Sequence, residues 1–228
     1  MNRRRKVSIA IAIAILFVSL IAVEHPSVQF VKRGIATLGV IDSQYTLVGL
    51  TDVRSTDHVR GDRSSPIALI EYSDFECLMC AAMQDTLDRL VTEKPVMLVS
   101  RHLFPDTAKQ SFDLAVAAEC VGKHGGDEAY TAFAKYLYDD RHDQGTDRAI
   151  EQKVASLGVS LQDFQSCVIR DSVIHNKVRE DSKEGWQLGA QGTPYIVVVY
   201  NGRPIGISYA NNYDDFLSRI TALVAEVR

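Results

Sequence analysis

The apolar and polar positions divide the chain into stretches of different period. The β-branched apolar run "IALIEYS" predicts a strand. After it, "CLMCAAMQDTLDRLVTE" spaces Met83, Leu87, Leu90 and Val91 onto one helical face, and "PVMLVSRHLF" returns to a strand pattern over 96–104. Strand, crossover helix and strand together predict a parallel β-α-β unit. From about 107 to 189 the pattern is helical, in "SFDLAVAAECV", "DEAYTAFAKYLYD", "TDRAIEQKVASLG" and "LQDFQSCVIRDSVIHNKVREDSKEGWQLG". Turns are expected at Gly122, Gly125, Gly126, Gly145 and Gly158, and Ser160 is suited to cap the helix that follows it. "TPYIVVVYNGRPIGISYA" predicts two short strands joined at Asn201-Gly202, a hairpin signal. A last helix would carry Phe216, Ile220, Leu223, Val224 and Val227 on one side. The order is that of an α/β fold with an inserted helical subdomain at about 107–189.

The two ends of this pattern differ in kind. Arg3, Arg4, Arg5 and Lys6 precede a largely apolar stretch, Val7 to Val23, which predicts a signal anchor or a signal peptide over 1–23. The stretch lacks a small-x-small site after it, so an uncleaved membrane anchor with its basic side in the cytoplasm is the preferred reading. Residues 24–65 have short apolar groups but no sustained period and read as a tether, with room for a short packed segment. That leaves 66–228 as one domain, consistent with what 228 residues can bury.

Charge narrows the partners. Of 25 basic residues four lie in the first six, which leaves 21 against 29 acidic residues, about -8 on the part beyond the anchor. Such a surface does not invite nucleic acid. The four cysteines, Cys77, Cys80, Cys120 and Cys167, all lie beyond the anchor, where an oxidising compartment allows them to pair. Spacing favours Cys77 with Cys80, within one helical turn, and that pairing leaves Cys120 with Cys167.

The candidate chemistry sits where the first strand turns into its helix, in "DFECLMC". The first turn of a helix has unpaired N–H groups and the positive end of the macrodipole, and both stabilise a thiolate. Cys77 is therefore the expected acidic, exposed thiol, and Cys80 the one that closes or resolves a disulfide by exchange. A zinc site is not completed, since no second C-x-x-C or H-x3-H pair is present, and no metal or cofactor is called for. Cys77, Cys80 and the thioether of Met83 make a possible Cu(I) set, and a copper carrier stands as an alternative. Glu71, six residues before Cys77, is a candidate buried acid that exchanges a proton with Cys80; strand alternation offers the other reading, a surface carboxylate. "GTP" at 192–194 stands immediately before an apolar strand.

Taken in order, "PIALIEYSDFECLMC", "RHLFPD", "AVAAECVGKHGGDEAYTAFAKYLYD" and "GAQGTPYIVVVYNGRPIG" resemble the DsbA-like branch of the thioredoxin superfamily, from about Val59 to the C-terminus. The resemblance implies a thioredoxin fold with a helical insertion and a cis peptide at Thr193-Pro194. By position it puts the nucleophile on Cys77, the resolving thiol on Cys80, the buried acid on Glu71 and substrate contact on Thr193 and Pro194. Relatives often hold a second, structural disulfide, here Cys120 with Cys167; separately buried thiols and a relay disulfide are the alternatives. The departure is between the cysteines, where relatives commonly have Pro followed by His or an aromatic and this chain has Leu78 and Met79. The expected protein is an extracytoplasmic oxidase that donates the Cys77-Cys80 disulfide to exported cysteine-containing proteins and is reoxidised by a membrane partner. A reductase or isomerase of the same fold is the nearest alternative.

Overall fold

A computed structural model describes residues 52–139, 147–200, 203–208 and Ser218. The expected anchor over 1–23 and, Ser218 apart, the last helix lie outside the described residues. Among the described residues no helix is long and apolar enough to cross a membrane.

The elements are β1 (His58–Gly61), β2 (Ile67–Ser73), α1 (Leu78–Glu93), β3 (Met97–His102), α2 (Lys109–Asp139), α3 (Asp147–Ser156), α4 (Leu161–Arg170), α5 (Ser172–Gln187), β4 (Tyr195–Tyr200) and β5 (Arg203–Ser208). They form a five-stranded sheet in the order β1-β3-β2-β4-β5. β2 and β3 run parallel across the α1 crossover, and the other pairs are antiparallel. Glu71 of β2 stands opposite Ser100 of β3 and Ile196 of β4.

β2 lies in the middle of the sheet and is buried at all seven positions. One face puts Ile67 and Leu69 against Met83, Leu87 and Leu90 of α1, with Leu98 and Val198. The other face gathers Ile70, Tyr72, Val99, Leu103 and Val197. A third cluster joins Phe75, Cys80 and Phe104 at the carboxyl end of the sheet to the helical block through Phe133, Leu137 and Val178. The apolar face predicted for α1 is the face it buries.

Three details differ from the sequence reading. First, the tether expected over 24–65 does not reach 65: β1 is hydrogen-bonded to β3, so the folded domain begins before residue 66. Its polar residues hid it, since only Val59 carries the apolar signal while His58 and Arg60 are held by charged partners. Second, the long helical stretch from 161 breaks at Asp171, whose side chain caps α5 by accepting from the backbone N–H of Val173 and Ile174. Third, Gly122 makes no turn. It sits inside α2 where a Cβ would fall 2.2 Å from the His58 ring, so its bareness lets α2 approach β1. Of the glycines at 122, 125 and 126 it is Gly126, at φ 80°, that marks the kink in α2; Gly158, at φ 75°, makes the expected turn after α3, and Gly145 lies outside the described residues.

Candidate active site

α1 starts immediately after Cys77, which occupies the N-cap position in extended geometry. Its sulfur accepts from the backbone N–H of Cys80 at 3.2 Å, the bond a serine or aspartate oxygen makes at an ordinary N-cap. The loop before it is anchored: Cys77 N–H donates to the Asp74 carbonyl, and the Ser111 hydroxyl of α2 donates to Asp74 and Glu76. Cys77 and Cys80 are both free thiols; Cys77 is half-buried and Cys80 fully buried. Thr193 comes alongside from the loop before β4, its carbonyl oxygen 3.4 Å from the Cys77 sulfur, and the Thr193-Pro194 peptide is cis.

The two sulfurs are polarised in opposite directions. The Cys80 thiol donates to Cys77, and with the Thr193 side chain and the N–H groups of Cys80 and Met79 it lowers the Cys77 pKa to about 6, against the opposing effect of burial. Burial, then the hydrogen bond and negative charge of Cys77, push the Cys80 thiol far up. One cysteine is a thiolate near neutrality and its neighbour holds a proton.

Glu71 lies in the floor of this site, buried to 1% exposure on the α1 face of β2. Burial is the largest influence on its carboxyl and raises its pKa to about 7, against the charge of Arg60 and a hydrogen bond from Gln84 that favour ionisation. The Gln84 amide donates to Glu71 Oε1 at 2.9 Å and to the Cys80 carbonyl at 3.3 Å. The structure thus brings together Cys77, Cys80, Glu71, Thr193 and Pro194. Cys120 and Cys167 form a disulfide between α2 and α4.

Met83 does not join the cysteines. It is fully buried among Leu69, Leu87 and Leu98, in a cluster separate from the one that holds Cys80, so the three-ligand Cu(I) set is not assembled. Leu78 and Met79 stand out from the site at 71% and 42% exposure.

Sequence reasoning missed Gln84, Arg60 and Asp88, and also a buried ion network at the carboxyl end of β3. There Glu119 of α2 meets His102 at 3.0 Å, His58 at 3.3 Å and Lys177 at 2.7 Å, and Lys177 reaches Asp181 at 3.0 Å. Arg101 beside it is fully buried against Asp57, Glu184 and the Tyr72 hydroxyl. His102, Glu119 and Asp181 are close enough to resemble a metal cluster, but the Lys177 ammonium bridges the two carboxylates and supplies the positive charge. A glutamate inside the apolar "AVAAECV" was the one signal of this network.

A family model described as Thioredoxin matches residues 54–221. The chain belongs to the thioredoxin family. Its fold is DsbA-like: it superposes on DsbA2 of Pseudomonas aeruginosa with a TM-score of 0.63 at 22% identity, covering 78% of this chain and 99% of that one. BdbD of Bacillus subtilis in its oxidised form gives 0.63 at 18% identity, covering 79% and 96%. Part of the chain also resembles curated relatives of a different overall kind. A protein named Na(+)/H(+) antiporter NhaA 1 of Mycobacterium sp. (strain KMS) is 29% identical over 164 residues, 68% of this chain and 26% of the relative. The namesake of Salinispora arenicola (strain CNS-205) is 35% identical over 96 residues, 41% of this chain and 15% of the relative. The chain therefore spans about a quarter or less of the length of these relatives.

Proposed function

We propose that the chain is an extracytoplasmic thiol:disulfide oxidoreductase that forms disulfides in exported proteins. The observation that carries this reading is the opposed polarisation of Cys77 and Cys80 directly above a buried, protonatable Glu71. In the oxidised enzyme a substrate thiolate attacks the Cys77 sulfur, the Cys77-Cys80 bond breaks, and its electron pair goes to Cys80. Glu71 gives that sulfur a proton, so the products are a substrate-Cys77 mixed disulfide, a Cys80 thiol and a Glu71 carboxylate. A second substrate thiolate then attacks the substrate sulfur and releases Cys77, whose thiolate is already stabilised by the N–H groups of the helix start. Thr193 and Pro194, beside Cys77, are the surface on which the substrate main chain would lie. Cys120-Cys167 is structural and holds α2 to α4.

Reoxidation falls to a membrane partner, and the anchor expected over 1–23 would keep the site near it. The relatives named Na(+)/H(+) antiporter, which contain a matching stretch, support work beside a membrane protein. The departure at Leu78 and Met79 favours one second reading, a reductase or isomerase with a less oxidising site.

Two measurements test the proposal. In a Cys80→Ser protein, mixed disulfides with exported substrates should accumulate on Cys77; trapping on Cys80 in a Cys77→Ser protein would reverse the roles. Equilibration of the wild-type pair with glutathione decides direction, since a strongly reducing potential would replace the oxidase with the reductase.

A further inference from the structure

Glu71 is linked to the outer part of the domain by a chain of side chains. Arg60 of β1 pairs with Asp88 of α1 and donates from Nη2 to Gln84 Oε1 at 3.0 Å. With its oxygen facing the guanidinium, the Gln84 amide must turn its NH2 toward Glu71 and the Cys80 carbonyl. One orientation satisfies all these contacts, so Arg60 fixes which way the amide points. Beside the chain lies a cavity of about 40 Å³, wide enough for water, lined by Arg60, Glu71, Gln84 and Asp88 and closed from α2 by Lys135 and Tyr138. Cys77, Thr193 and Pro194 take no part in its lining, so a substrate lying over Cys77 leaves it open.

On the footing of the oxidoreductase reading above, we propose that Arg60 and Asp88 act through Gln84 as positioning residues that aim the Glu71 carboxyl and govern the pH at which it exchanges its proton, with the cavity between α1 and α2 as its route to solvent.

The chemistry requires such a route. Each oxidation of a substrate leaves Glu71 as a carboxylate after its proton has passed to Cys80, and the substrate covers the outer side. The groups that face Glu71 come from every element around it. Arg60 is the cation of β1, and α1 with its N-cap contributes Cys77, Cys80, Gln84 and Asp88. From β3 comes Ser100, from α2 Tyr130, Lys135 and Tyr138, and β4 offers only the apolar Ile196. Arg60 favours the carboxylate and Asp88 opposes it, so removing one or the other must move the titration in opposite directions.

The test uses Arg60→Met, Asp88→Asn and Glu71→Gln in the oxidised protein. Single-turnover reduction by a peptide dithiol is followed across neutral pH, corrected for ionisation of the dithiol, and the Glu71 carboxyl is titrated by carbon NMR. Arg60→Met should move the inflection about one unit to higher pH, and Asp88→Asn about half a unit to lower pH. Arg60→Lys, which keeps the charge, should recover most of the shift and guards against loss of fold in Arg60→Met. Shifts in the same direction, or none, would overturn the positioning role while leaving Glu71 in place. An inflection that survives in Glu71→Gln would instead remove the acid from the mechanism and defeat the reading beneath.

Discussion

Two glutamates in this domain are equally buried, each at 1% exposure, and behave in opposite ways. Glu71 in the floor of the cysteine site has one amide donor in contact, and its cation, Arg60, contacts Asp88 and Gln84 instead; burial wins and its carboxyl is raised to about 7. Burial also works against ionisation of Glu119, but hydrogen bonds from His102 and His58 and the charge of Lys177 overcome it, and its carboxyl is held well below the usual range. Depth in the protein does not decide protonation; the number of donors brought to the carboxylate does. A fully paired acid ties elements together at every physiological pH. An under-paired one keeps a proton that can be moved.

The largest effect should come from breaking the paired region. Lys177→Met leaves Glu119 and Asp181 facing each other without their shared cation, and should cost about 3–5 kcal/mol in denaturant unfolding at neutral pH. A loss below about 1 kcal/mol would mean that the network is neutralised by other means and that the contrast with Glu71 is weaker than the geometry says.

The under-paired acid should give a smaller effect of the other sign. The folded pKa of Glu71 lies above that of an unfolded glutamate, so its contribution is fully present below about pH 4.5 and is lost as pH rises through about 7. Glu71→Gln removes that loss. The variant should gain roughly 2–3 kcal/mol over wild type at about pH 8 and nothing at about pH 4, while its exchange rate falls. A difference independent of pH would show that Glu71 does not titrate in this window.

The smallest expected change sharpens the comparison at the thiolate. A histidine offers Cys77 a donor or a positive charge that the thioether of Met79 does not. Met79→His should make the site more oxidising, by roughly 30 mV for each pKa unit taken from Cys77. An unchanged or lowered potential, measured against glutathione, would show that the helix start alone sets the poise.

The parts of the site that follow local rules were legible in the sequence. C-x-x-C at a strand-to-helix junction and one apolar face on α1 each depend on neighbours a few positions apart. The side to which Glu71 points was not legible, because a central strand buried on both faces has no alternation to read. Gln84, Arg60 and Asp88 look like the polar face of a helix and an edge residue until the fold sets them around one acid. β1 escaped for the same reason, since its polar residues are satisfied by partners far along the chain. The break at Asp171 was readable as an Asp-Ser cap and was hidden by the apolar period running through it.

The way β1 is fastened also bears on the order in which the molecule assembles. His58 is held by Asp127, 69 positions later, and Arg54 by Glu184, 130 positions later. The first of the described strands is thus secured only after α2 and α5 exist to receive it. Without β1 the outer edge of β3 would be open, and an open edge is where chains join one another instead of folding. The distant ion pairs at and just before β1 therefore help to keep a cover on the edge by which one copy of the chain could stick to another.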